Sequence, residues 1–296
     1  MILPNLLIVG AAKSGTTSLH NYLSQHPDVF MSKHKEPHFL INNEIGLSRI
    51  PKGINKINDY SNLFLNSENY QYRGESSAMY LQFPEISIKN IKKYLDKHVK
   101  IIIMLRNPVD RAFSGYQHVK RYNTDENLDF QKAIDQCEDR YVKNIKMTPA
   151  SRYINIGMYH NFVKKFTNNF VNQTHVIIYD DFIRNTDEEL DKVFDFLQIE
   201  KIKINTSKQY MVGGWQWKNS FFKKIFLNKN SLKHVIKIVV PFKSGRLFLV
   251  NMFKSIFTFS VEKMDDKVRK KLEDIFREDI KKLSLLLNRD LNFWIK

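Results

Sequence analysis

Leu6 to Val9 is an apolar run that ends on Gly10, where polar residues take over. A short apolar run bounded by glycine predicts a strand buried on both faces, as in parallel sheets. From Thr17 to Ser24 the pattern changes. Leu19, Tyr22 and Leu23 recur at helical spacing and predict an amphipathic helix. The pair of patterns then returns. Ile101–Leu105 is a second apolar strand, followed by Arg106, Asn107 and Pro108. Proline suits the first helical position, so a helix is predicted from Pro108 to about Arg121. His175–Tyr179 predicts a third strand. Thr186 and Glu189 form a capping-box signature ahead of Leu190, Val193, Phe194 and Leu197. Near the C-terminus Val268, Leu272, Ile275, Phe276, Ile280, Leu283 and Leu287 repeat at helical spacing, which predicts a closing helix over 263–287.

Strands alternating with helices predict an α/β fold of three layers: a central, mostly parallel sheet flanked by helices. The glycine- and lysine-bearing loop after the first strand makes that fold P-loop-like. No linker or internal repeat divides the 296 residues, so a single domain over 1–296 is expected. The stretch 218–260 differs from the rest. It alternates lysines with Phe221, Phe222, Phe226, Phe248 and Phe253, and predicts a basic-hydrophobic helical segment. Such a segment either covers the sheet or meets an anionic membrane surface. In open α/β sheets ligands bind beyond the carboxyl ends of the strands. Gly10–Thr17 and Arg106–Ser114 both follow strands directly, so they are expected to meet at one edge.

The formal net charge is +16, which favours anionic partners, although a solvated basic surface is the plainer source of much of it. Neither a helix-turn-helix nor a zinc-finger pattern is present, and the basic residues are spread out, so nucleic acid is not the expected partner. Cys137 is the only cysteine, which excludes an internal disulfide and a cysteine-cluster zinc site. No charged leader precedes the first strand, and no run of 18 uncharged apolar residues occurs. The expectation is a cytoplasmic protein, with 218–260 as a means of peripheral contact at the inner face of the membrane.

The loop reads Gly10-Ala11-Ala12-Lys13-Ser14-Gly15-Thr16-Thr17. In the usual triphosphate loop the lysine follows the second glycine. Here it precedes it, so the loop is shorter and Lys13 is presented early. Its amides and the following helix start still suit a phosphate. A 5′-phosphate bearing one further group fits better than a triphosphate.

Lys13-Ser14-Gly15-Thr16-Thr17 resembles the 5′-phosphosulfate loop of sulfotransferases, and "LRNPVDRAFSGYQHVKR" resembles their 3′-phosphate motif. "HPDVFMSKHKEPHFL" resembles a segment of the carbohydrate branch, which includes the heparan sulfate enzymes. The C-terminal "LEDIFREDIKKLSLLLNRDLNFW" is similar to the closing helix of many bacterial members. The resemblance implies 3′-phosphoadenylyl sulfate (PAPS) as donor. It implies that Lys13, Ser14, Gly15, Thr16 and Thr17 hold the 5′ end, and that Arg106 and Ser114 hold the 3′-phosphate. Arg111, on the same helix, stands between that role and an exposed helix surface. Glu36 is implied as the general base, with His38 orienting it, binding the acceptor or taking the proton itself. Tyr179 resembles a ring that lies near the adenine. Lys218, after Gly213 and Gly214, is a candidate for a late loop that closes over the donor, and Trp215 or Trp217 for stacking on an acceptor. One departure weakens a heparan-type acceptor: Glu75 is followed by Ser76 where those enzymes often carry lysine.

Sulfuryl transfer passes a charged group in line between two oxygens, and cations and amides can stabilise the leaving phosphate without a metal. No metal is expected. The acceptor is expected to be a hydroxyl on a carbohydrate or glycolipid, with sterol, phenol or lipid hydroxyls open. A P-loop kinase using ATP and magnesium and a basic nucleic-acid-binding protein are the alternatives outside this chemistry. The oligomeric state is not legible.

Overall fold

The apolar runs become the middle of a five-stranded sheet with strand order β2-β3-β1-β4-β5, all neighbours parallel. The computed structural model describes residues 1–122, 126–208, 210, 213–219, 223, 252, 256–261 and 263–295. The strands are β1 (Leu6–Gly10), β2 (Val29–Met31), β3 (Tyr72–Ser76), β4 (Lys100–Leu105) and β5 (Thr174–Ile178). The helices that bear on the site are α1 (Thr16–Leu23), α2 (Phe39–Ile45), α3 (Pro84–Tyr94), α4 (Pro108–Tyr122), α5 (Tyr159–Asn169), α6 (Tyr179–Arg184), α7 (Thr186–Leu197) and α8 (Asp266–Leu287).

Alternation along the strands divides the core. Leu7, Val9, Ile101, Ile103 and Leu105 face one layer, with apolar residues of α2 to α5 and α8. Leu6, Ile8, Ile102 and Met104 face the other, with Leu19 and Leu23 of α1 and Leu190, Val193, Phe194 and Leu197 of α7. A strand has side chains on alternate faces, so a central parallel strand must be apolar throughout to bury both. β2 and β3 escaped the pattern because one is three residues long and the other carries Arg73 and Glu75.

Several boundaries move. The third predicted strand stops at Ile178, and Tyr179 opens α6 instead of ending the strand. The cap of α7 is Asn185, not Thr186. The Asn185 side chain accepts the Glu188 N–H, while the Thr186 hydroxyl donates to Phe182 O at 2.8 Å. Asparagine is a strong cap, and the acids that follow suit the positive end of the helix. The closing helix starts at Asp266 because Asp265 caps it, accepting from the Lys267 and Val268 N–H groups. Ile275 of its apolar stripe is exposed.

The segment 218–260 lies largely outside the described residues. Within it Lys223, Met252, Ile256 and Phe257 are helical, whereas its C-terminal end is a strand. Trp215–Trp217 (β6) and Thr258–Ser260 (β7) form an antiparallel pair. Among the described residues no helix is long and apolar enough to cross a membrane.

Candidate active site

β1 and β4 are neighbours, with Gly10 opposite Ile103, and the Ala11 N–H donates to Met104 O at 2.7 Å. The loops that leave them therefore start side by side. Arg106 extends an Nη1 donor to the Lys13 carbonyl at 3.4 Å, and its guanidinium sits 5.0 Å from the Tyr179 ring centre. Gly15 caps α1 with φ 90°. A Cβ there would lie 3.0 Å from the Tyr179 ring, so both conformation and close approach demand glycine.

These loops open on a cleft of about 910 Å³. Lys13, Gly15, Thr16, Thr17, Glu36, His38, Arg106, Ser114 and Tyr179 all line it. Two sequence candidates do not. Ser14 is fully buried, facing inward beside the Tyr159 hydroxyl. Lys218 leaves β6 and donates to Ile256 O at 2.8 Å. The part of its loop that does reach the cleft is Tyr210, Gly213 and Gly214. Trp215 and Trp217 do not line the cleft either. Arg121 ties Trp215 to α4 through two donors to its carbonyl, at 3.0 and 2.6 Å.

Glu36 lies between β2 and α2. Its N–H donates to Ser76 O at the end of β3, and Oε2 accepts the Ala78 N–H at 2.9 Å. Oε1 pairs with Lys35 Nζ at 2.8 Å, and Oε2 lies 3.3 Å from His38 Nε2. Burial pushes the Glu36 carboxyl up, but Lys35, His38 and the Ala78 N–H outweigh it and hold the group below the ordinary carboxylate range. Burial pushes His38 down, against the pull of Glu36, so the ring is neutral at pH 7. A neutral ring facing a carboxylate through Nε2 must carry its proton there. The remaining nitrogen, Nδ1, is buried without a hydrogen-bond partner. Lys13, Glu36 and His38 each have positive φ, at 71°, 60° and 52°. Non-glycine residues held there are strained, and such strain gathers where the surroundings fix a side chain for use.

The cleft is strongly cationic. Lys13 is lowered to about 8, first by burial and then by Arg121, Arg106 and Lys35, with Glu36 opposing. His118 is lowered to about 3 by burial, Lys13 and Arg121. Sequence reasoning missed Lys35, Gln117, His118 and Arg121 as parts of the wall. The signal was present: Ser114, His118 and Arg121 are spaced to share one face of α4.

Glu75 was also missed. It is fully buried at the end of β3, accepting from Tyr60 Oη at 3.1 Å and Ser77 Oγ at 2.9 Å. Ser77 Oγ in turn accepts the His38 N–H at 3.0 Å. The buried carboxyl thus braces the backbone beside Glu36. Burial raises it to about 7. The folded state therefore favours the protonated form, and the stability this contributes is lost as pH rises through about 7. Glu75→Gln removes that dependence. Its stability relative to wild type is expected to rise between pH 5 and pH 8, read from urea unfolding midpoints. A difference that does not move with pH contradicts the shift.

A family model described as the sulfotransferase domain matches residues 3–284. The chain belongs to the sulfotransferase family. Human carbohydrate sulfotransferase 15 is 26% identical over 247 residues, covering 67% of this chain and 44% of that protein. The bifunctional heparan sulfate N-deacetylase/N-sulfotransferase 1 of Caenorhabditis elegans is 34% identical over 117 residues, covering 40% of this chain and 13% of that protein. This sulfotransferase thus spans less than half the length of these curated relatives. A solved sulfotransferase from Alicyclobacillus acidocaldarius superposes with a TM-score of 0.76 at 27% identity, with 99% of each chain covered. Family membership sets aside the kinase and nucleic-acid readings of the basic, loop-bearing sequence.

Proposed function

We propose that this sulfotransferase moves the sulfuryl group of PAPS to a carbohydrate hydroxyl, with Glu36 as general base. The observation that carries the donor assignment is the junction of two distant segments. The Lys13–Thr17 loop and the Arg106/Ser114 pair line one cleft, joined through the Lys13 carbonyl. Two clusters of anion-binding groups suit a nucleotide phosphorylated at both its 5′ and 3′ positions. Arg106 offers a bidentate fork, which a lysine does not. Lys13 faces charge that develops on the leaving phosphate, and the amides and hydroxyls of Gly15, Thr16 and Thr17 hold the 5′ end.

Glu36 is the better base of the two candidates. It is ionised, half-buried on the cleft wall, and held by three partners. His38 has its Nε2 proton committed to Glu36 and its other nitrogen buried, which suits an orienting role. The polar part of the cleft lining supports a sugar over a sterol, since Lys35, His38, Gln117, His118 and Arg121 suit hydroxyl and acidic groups. A glycolipid is a second reading with its own support. A cavity of about 940 Å³ shares Phe113, Gln117 and Val261 with the cleft and is walled by Tyr116, Phe130, Trp217 and Phe259, which offers room for an apolar aglycone.

The donor reading is tested without knowing the acceptor. By calorimetry, wild type is expected to bind 3′,5′-adenosine bisphosphate more tightly than AMP by about two orders of magnitude, the worth of charge-assisted bidentate contacts. Arg106→Ala is expected to lose most of that preference while its AMP affinity changes little. A preference that survives in the variant removes Arg106 from the 3′-phosphate site.

A further inference from the structure

Arg111 is a fully buried arginine, not the exposed helix residue its place in a basic sequence allows. It sits one turn into α4, three residues before Ser114, and lines the cleft. One nitrogen, Nη2, donates to the Tyr153 carbonyl. The other two, Nε and Nη1, are buried without a hydrogen-bond partner. Nη1 lies 3.5 Å from where a Cβ on Gly115 would stand, and Gly115 itself borders the cleft.

The acids of the neighbouring segments are engaged elsewhere. Asp110 pairs with Arg269 at 2.6 Å, and Glu126 pairs with Arg140 at 2.9 Å while accepting from Tyr153 Oη. Among the described residues no carboxylate forms an ion pair with Arg111. Arg106 adds like charge nearby instead of relieving it. A buried charge without a counter-charge is costly, and a fold keeps one where something else supplies the compensation. Arg111, Ser114 and Gly115 border the same cleft.

We propose that Arg111 is a specificity-determining residue of the donor site, a fixed positive charge beneath the place where Arg106 and Ser114 receive the donor's 3′-phosphate. It acts from its buried place in the cleft wall, through the field it adds and through the phosphate it leaves as its only counter-charge. It therefore discriminates a nucleotide bearing a 3′-phosphate from one that lacks it. This rests on reading the cleft as the donor site.

The test pairs affinity with stability, because a structural arginine and a phosphate-compensated one differ in both. In Arg111→Met, removal of an uncompensated charge is expected to leave the unfolding midpoint of the ligand-free protein unchanged or raised. The same variant is expected to bind 3′,5′-adenosine bisphosphate at least about tenfold more weakly, with AMP binding within about twofold of wild type. Arg111→Lys keeps the charge and is expected to stay within about fivefold of wild type for the bisphosphate. An arginine that only braces Tyr153 gives the reverse pattern: a lowered midpoint or a misfolded methionine variant, with the lysine variant no better at preserving the bisphosphate preference. That result overturns the proposal. So does a folded methionine variant with the wild-type preference intact. If wild type itself shows no preference for the bisphosphate, the donor reading fails first, and the two failures are told apart by that control.

Discussion

Lys13→Ala is expected to lower turnover by about 10²- to 10³-fold, the usual cost of deleting one preorganised group that meets charge developing in the transition state. Its effect on folding is expected to be small and in the opposite direction. Lys13 is half-buried among Arg106, Arg121 and Lys35, and their repulsion with burial brings its ammonium to about 8. An empty cleft pays for that crowding, so removing one cation leaves the unfolding midpoint unchanged or raised. The same crowding gives wild type a pH signature. A bound dianion stabilises the ammonium, so above pH 8 binding requires uptake of a proton. The affinity for 3′,5′-adenosine bisphosphate is then expected to fall by up to tenfold for each pH unit above about 8. Lys13→Ala lacks this slope. Turnover within threefold of wild type in the variant, or a slope that persists in it, removes Lys13 from the chemistry.

Glu36→Gln is expected to cost about 10²- to 10⁴-fold in turnover on the best hydroxyl acceptor of a panel, the range for loss of a general base. Glutamine keeps the shape and still accepts the Ala78 N–H, but it cannot take a proton. Donor binding is expected to hold or tighten, because a negative charge beside Lys35 and near Lys13 disappears. The split between binding and turnover distinguishes a base from a structural residue. His38→Ala is expected to cost less, since on this reading the ring orients Glu36 through one hydrogen bond. The Glu36 carboxyl is held below the ordinary range, so its titration is expected to produce no acid limb between pH 5 and 7 in the turnover profile. Near-normal turnover in Glu36→Gln, with an inactive His38→Ala, moves the base to the imidazole.

The fold was legible where one physical demand dominated. β1 and β4 are apolar on both faces because helices cover both, and only a continuous apolar run meets that demand. Pro108 marked the start of α4 because it needs no N–H partner there. β3 was illegible for a related reason. Its Glu75 is buried with hydrogen bonds from Ser77, just past the strand, and from Tyr60, which belongs to a preceding helical element. The pattern of apolar and polar positions does not show that Tyr60 packs against it. The convergence of Gly10–Thr17 with Arg106–Ser114 followed from a rule about strand ends and holds in the structure through the Lys13 carbonyl. Ser14 and Lys218 show the limit of motif reading. Ser14 lies inside the motif but turns inward, and Lys218 lies past the bend that brings Gly213 and Gly214 to the cleft. Arg111 shows it from the other side. In the sequence it is one basic residue among 47, and only burial without a counter-charge sets it apart.

The most direct measurement is a crystal structure of the protein with 3′,5′-adenosine bisphosphate. The expected result has the 5′-phosphate within hydrogen-bond reach of Lys13 and the Gly15–Thr17 amides, the 3′-phosphate against Arg106 and Ser114, and Glu36 facing the open space beyond the 5′ end. A nucleotide bound outside this cleft, or one whose 3′-phosphate lies away from Arg106, contradicts it.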